Sequence, residues 1–262
     1  MKTIGSTIIM LALASSLFAD NGKELKLASP DGTHEIVFYQ KQVSPAVNEL
    51  CYRVDYKSQP VVNESRAGLE LDNRIWEMAL GVRNLKQPAC WMDNLEVDSV
   101  TYQLETNLTW QPLYGERSSV RDHYRAGTLC LSKKDNSGYR LNIEVRAYNE
   151  GVAFRYFFPE HPKAIFHKVV GDLTEYALPA GTKAWTEQWA QAFFERLNID
   201  DIKHPVERAL TFELPNGKWA ALADADVDDW CLTKYLVSTD KKNTLTSVMY
   251  SPVDVVTYYA TP

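Results

Sequence analysis

Apolar side chains recur at every second position along much of this chain, and turn-forming residues break the runs. Tyr52, Val54 and Tyr56 alternate with Arg53, Asp55 and Lys57; Leu141, Ile143 and Val145 alternate with Asn142, Glu144 and Arg146; Leu210, Phe212 and Leu214 form a further run. Successive side chains of a strand point to opposite faces, so a period of two marks a half-buried strand. His34 to Gln40 and Leu129 to Leu131 continue the pattern. Asn149-Glu150-Gly151 joins one run to the next at Val152 to Phe158, and Pro215-Asn216-Gly217 joins Leu210–Leu214 to Lys218–Ala223. Both read as hairpins. Ser29-Pro30-Asp31-Gly32, Asp135-Asn136-Ser137-Gly138 and Pro179-Ala180-Gly181 supply more turns. The pattern predicts an all-β fold, a large antiparallel β-sandwich with a few short helices. Gln188 to Ile202 departs from it: Trp189, Phe193, Phe194 and Leu197 have a helix-compatible spacing.

With 262 residues the chain is long enough for one large β domain or two small ones. The 14 Tyr and 7 Trp suit cores packed between sheets, and they also suit stacking on sugar rings. The formal charge of −6 and the lack of a basic stripe argue against nucleic acid as a partner.

Met1-Lys2, the apolar run Ile8 to Ala14, and Leu17-Phe18-Ala19 before Asp20 read as a secretory signal peptide over 1–19. The apolar run is shorter than the ~20 residues of a membrane span. Export to the periplasm or medium is the expectation, and it permits disulfides. Cys51, Cys90, Cys130 and Cys231 have no metal-type spacing, and pairing and free buried thiols both stay open. Residues 20–262 then form the mature β domain. Val253 to Tyr259 reads as a core strand close to the last residue, which is the expectation for a fragment boundary.

No H-E-x-x-H, no Gly-x-Ser-x-Gly and no phosphate-binding glycine loop is present. No pair of carboxylates stands out as a general acid and base. Asp224, Asp226, Asp228 and Asp229 share an alternating acidic start with calcium loops, but the required Gly and distant Glu are missing; a solvated turn or helix start is the plainer reading.

Four segments together resemble the N-terminal domain of glycoside hydrolase family 97: Ser29-Pro30-Asp31-Gly32; Trp110 to Glu116 followed by Val120-Arg121-Asp122-His123-Tyr124; Arg146 to Tyr156; and Leu210 to Lys218. Arg125-Ala126 stands where that family commonly has Asn-Glu, and Asp224-Ala225 where Glu-Ala is common. The resemblance implies a β-supersandwich that precedes a catalytic (β/α)-barrel in an exported, calcium-dependent α-glucosidase or α-galactosidase. The barrel, which carries most catalytic carboxylates, is missing from this chain. The implied partners are therefore that barrel and an α-linked oligosaccharide or α-galactoside.

The resemblance also places a calcium-ligating glutamate just after the Trp185 segment, at Glu195, with Glu187 as the neighbouring alternative. Calcium takes about 6–8 oxygen ligands, so one glutamate supplies part of a site that the barrel completes. The plain alternative is a Glu195 that pairs with Arg196 or faces solvent. A carbohydrate-binding sandwich without catalytic activity is the second functional reading, and an interaction domain of a sugar-uptake system the third.

Overall fold

The computed structural model describes residues 23–73, 78–79, 81, 93–134, 138–161, 167–225, 227 and 230–249. The leader, Cys90, the Asp135 turn and the Val253 run lie outside or largely outside them.

Every pairing between strands is antiparallel. The first sheet is a meander of β1 (Glu24–Ala28), β2 (His34–Ser44), β3 (Val47–Tyr56) and β4 (Gln59–Arg66). Facing it are β6 (Glu96–Tyr102), β8 (Val120–Ser132), β9 (Arg140–Tyr148) and β10 (Gly151–Phe157), with β7 (Thr106–Trp110) paired to the start of β8. Short strands β5 (Leu69–Leu71) and β11 (Val169–Asp172) pair beside them. β12 (Glu175–Ala177), β18 (Thr244–Met249) and β17 (Thr233–Val237) form a third layer element next to β4. The last sheet runs β14 (Glu195–Asn198), β13 (Lys183–Thr186), β15 (Leu210–Glu213), β16 (Trp219–Leu222).

The period-two runs lie where the alternation places them. Leu129 and Leu131 of β8, Leu141, Ile143 and Val145 of β9, and Leu210 and Phe212 of β15 are fully buried, while their sequence neighbours are less so. Each such side chain contributes about 1.5–3 kcal/mol by leaving water. Leu25, Ile36, Phe38 and Tyr52 of the first sheet belong with them to one continuous core. An aromatic chain crosses it. Phe38 lies 5.3 Å from Tyr52 and 5.1 Å from Phe154, and Tyr176 lies 5.4 Å from Tyr235. The Tyr52 hydroxyl donates to the Glu175 carbonyl at 2.7 Å, which ties β3 to β12.

Both expected hairpins form. The loop Asn149-Glu150 joins β9 to β10, and Gly217, at φ 78°, turns β15 into β16. Another hairpin carries no glycine: Lys57 and Ser58 take φ 49° and 59° between β3 and β4, matching the right-handed strand twist. Gln188–Ile202 forms no α-helix. It contains a loop, β14 and a short 3-10 turn at Ile199–Asp201. The backbone of β14 is paired to β13, and Trp189, Phe193 and Phe194 are exposed rather than gathered on a buried helical face.

Arg125 ties the first turn to β8. Its guanidinium donates to the carbonyls of Ser29 and Pro30 and to Glu105, so it clamps the Ser29–Gly32 turn to β8. Among the described residues Cys51, Cys130 and Cys231 form no disulfide with one another, and burial pushes the Cys51 thiol up to about 11.

Candidate functional site

Glu195 opens β14 directly opposite Thr186, the last residue of β13. Thr186 is buried, and its hydroxyl donates to the Glu195 carbonyl at 3.0 Å. The backbone at Glu195 is thus fixed from a buried anchor while its side chain is exposed. The carboxylate makes no ion pair or hydrogen bond among the described residues. Arg196 turns away from it and pairs with Glu213 on β15. The pairing of Glu195 with Arg196 is therefore not what the fold builds.

The loop between β13 and β14 is pinned at its base. The Glu207 amide donates to the Glu187 carbonyl at 2.8 Å. Lys234 of β17, itself buried, donates to the Gln188 carbonyl at 2.8 Å and pairs with Glu207 at 2.6 Å. Ala192 N–H closes a turn onto the Trp189 carbonyl. At the tip, Phe193 and Phe194 are 93% and 66% exposed, with Trp189 beside them in sequence and also exposed. Large aromatics on a pinned loop that leads into Glu195 are costly to leave in water.

Glu187, the alternative ligand, is half-buried, and its own carbonyl is held by Glu207. Asp224 pairs with Arg208 and accepts from Thr233, which is a structural role. Arg208 and Asp224 line an open cleft of about 220 Å³ with Glu207, Ala209, Ala223, Val227 and Leu232. Asp226, Asp228 and Asp229 lie outside the described residues. No group of three or more His, Cys, Asp or Glu side chains is arranged to hold a metal among the described residues. A hard cation fits Glu195 chemically, since an unpaired carboxylate supplies one or two of the oxygens it needs, but the described part of the chain does not complete a coordination shell. Lys234 and Glu207, which hold the loop, were not singled out in the sequence; the available signal was a lysine inside the apolar run Thr233 to Val237.

Elsewhere, His167 stacks on Phe158 at 4.3 Å and contacts Asn73 at 3.1 Å. Burial, with His161 nearby, pushes its imidazole down to about 4. Burial pushes the Asp172 carboxyl up, against hydrogen bonds from Thr174 and Ser247.

Among the described residues the chain is an all-β sandwich domain whose β13–β14 loop is pinned at its base and carries exposed aromatic side chains. Residues 27–257 match the family model described as Glycosyl-hydrolase 97 N-terminal, and the chain belongs to that family. A curated relative, the retaining alpha-galactosidase of Bacteroides thetaiotaomicron, is 23% identical over 94% of this chain, and the chain spans 35% of that relative. A Glycoside Hydrolase Family 97 enzyme from Pseudoalteromonas sp. strain K8, solved with panose and with acarbose, superposes with a TM-score of 0.72 at 22% identity, over 86% of this chain and 32% of that one. A beta-arabinopyranosidase superposes at 0.69 with 15% identity, over 87% of this chain and 36% of that one. These likenesses establish the fold.

Proposed function

We propose that this chain is the N-terminal domain of an exported, calcium-dependent α-glycosidase, and that Glu195 supplies one of the calcium ligands. Residues 1–19 would be the leader, and 20–262 the sandwich. The observation that carries the reading is the Glu195 carboxylate, exposed and unpaired among the described residues on a strand anchored by buried Thr186. The remaining oxygens would come from the barrel, so the ion would join two domains at the sugar pocket. There it would stabilise developing negative charge or orient water. Phe193, Phe194 and Trp189 would bury against the barrel around it.

Support for the substrate class comes from the relatives: one is a retaining alpha-galactosidase, and another was solved with panose and acarbose. Small α-galactosides or α-linked gluco-oligosaccharides are the substrates this favours. The chain by itself would be inert, because the acid and base would reside on the barrel.

The test is the size of the native product, by immunoblot of source cells with antibody to this domain. A band roughly three times the mass of this 29.8 kDa chain supports a barrel in the same polypeptide. A band at or just below that mass, with no glycosidase activity in the same fraction, would overturn it.

A further inference from the structure

We propose that the outer face of the β14-β13-β15-β16 sheet is a binding platform for neutral oligosaccharides, separate from the Glu195 loop. Strand alternation and register place two rows of side chains on that face. Arg196, Trp185, Thr211 and Ala221 form one row across the four strands, and Asn198, Lys183, Glu213 and Trp219 form the next. The opposite face carries Ala184, Leu210 and Phe212, all buried. Trp185 and Trp219 therefore look outward, and they are 39% and 56% exposed.

Their placement suits a sugar chain. The two indoles stand two strands and two residues apart, about 12 Å on the diagonal from ordinary strand spacing and rise. That is the span of a short oligosaccharide rather than of one ring. Between them lie Thr211 and Glu213, and the small Ala221 leaves the floor low. An indole plate offers an apolar, electron-rich face to the C–H side of a pyranose. The groups around it offer what hydroxyls need, since a hydroxyl both donates and accepts. Arg196 and Lys183 supply donors, Glu213 and the Asn198 side-chain oxygen acceptors, and Thr211 both, while the Asn198 amide already donates to Asp201 at 2.7 Å.

Charge points the same way. Arg196 and Glu213 pair with each other, which leaves Lys183 as the one uncompensated charge in the two rows. A neutral ligand thus meets little net field, and a basic peptide would be opposed by Lys183. Protein interfaces favour contiguous apolar cores, and here polar side chains separate the two tryptophans. The contiguous exposed apolar groups lie elsewhere, at Phe193-Phe194 and at Leu113-Tyr114 beyond β7.

The experiment is native gel electrophoresis of this chain through gels containing amylopectin, as an α-glucan, or guar galactomannan, which bears α-galactosyl branches. The expected result is retardation by at least one polysaccharide. Trp185→Ala and Trp219→Ala each weaken apparent affinity roughly three- to tenfold, and the double variant runs as in sugar-free gel. Trp189→Ala and Glu195→Ala stay retarded, so failure of the calcium reading leaves this one standing. Trp185→Phe and Trp219→Phe retain part of the binding, which guards against loss of fold. Unretarded wild-type protein in both gels, or a folded double variant retarded like wild type, overturns the proposal.

Discussion

Tyr52→Phe isolates the contact that ties the first sheet to the β12-β18-β17 layer. Tyr52 is 1% exposed, and its hydroxyl donates to the Glu175 carbonyl at 2.7 Å. Phenylalanine keeps the ring against Phe38 and Phe154, so nothing in the aromatic packing changes. What is lost is one buried hydrogen bond, and a carbonyl accustomed to a donor is left in a low-dielectric interior. Removing one partner of a buried pair costs about 1–3 kcal/mol, well above the ~1 kcal/mol net worth of a hydrogen bond exchanged with water. For a domain of this size each kcal/mol lowers Tm by about 2–4 °C, so a fall of about 5 °C is expected. Urea unfolding followed by circular dichroism checks it: the midpoint should drop with m unchanged. Tyr52→Ala, which also empties the ring's volume, should cost about 3–5 kcal/mol. If Tyr52→Phe unfolds at the wild-type midpoint, the two layers are not joined through this hydroxyl.

Three further outcomes follow from the same packing. Phe212→Ala empties a fully buried site behind β13 and should cost about 3–5 kcal/mol in urea unfolding. Lys234→Met removes the donor that holds Gln188 and leaves Glu207 unpaired; proteolysis within 187–194 should accelerate severalfold before global unfolding is detectable. His167 is pushed below its ordinary value of 6.5, so between about pH 4 and 6.5 the unfolded chain binds the extra proton and stability falls as pH falls through that window. Allowing for partial solvent screening the loss is about 1–2 kcal/mol, and His167→Gln should flatten that part of the urea-midpoint profile against pH.

The strands with clean alternation were legible because one buried face imposes a period of two, and β9 and β15 lie where that period puts them. Turns were legible where glycine supplied the conformation, as at Gly217. They were not legible at Lys57-Ser58, where the strand twist forces left-handed backbone on ordinary residues. β14 read as helical because Trp189, Phe193, Phe194 and Leu197 share a helix-like spacing, yet three of these side chains serve the surface and not the core. The partition into sheets depends on distant pairings, such as Ala177 with Thr244, that no local pattern encodes. Glu195 was reached through family resemblance; its freedom from Arg196 needed the fold, since Glu213 lies 17 residues away in sequence and adjacent in space. The tryptophan face was hidden for the same reason, because Trp185 and Trp219 share a face only once β15 pairs with both neighbours.

If Glu195 holds a calcium ion at the sugar pocket of a larger enzyme, as proposed, turnover by that enzyme should depend on calcium through this residue. The most direct measurement is calcium titration of α-galactosidase and α-glucosidase activity in the full-length native polypeptide after chelation, for wild type and Glu195→Gln. Chelation should abolish turnover and calcium restore it, with the variant needing at least about 10–100-fold more calcium, the loss typical of residues that merely support metal ligands. Turnover indifferent to chelation, or an unchanged calcium requirement in Glu195→Gln, would contradict it.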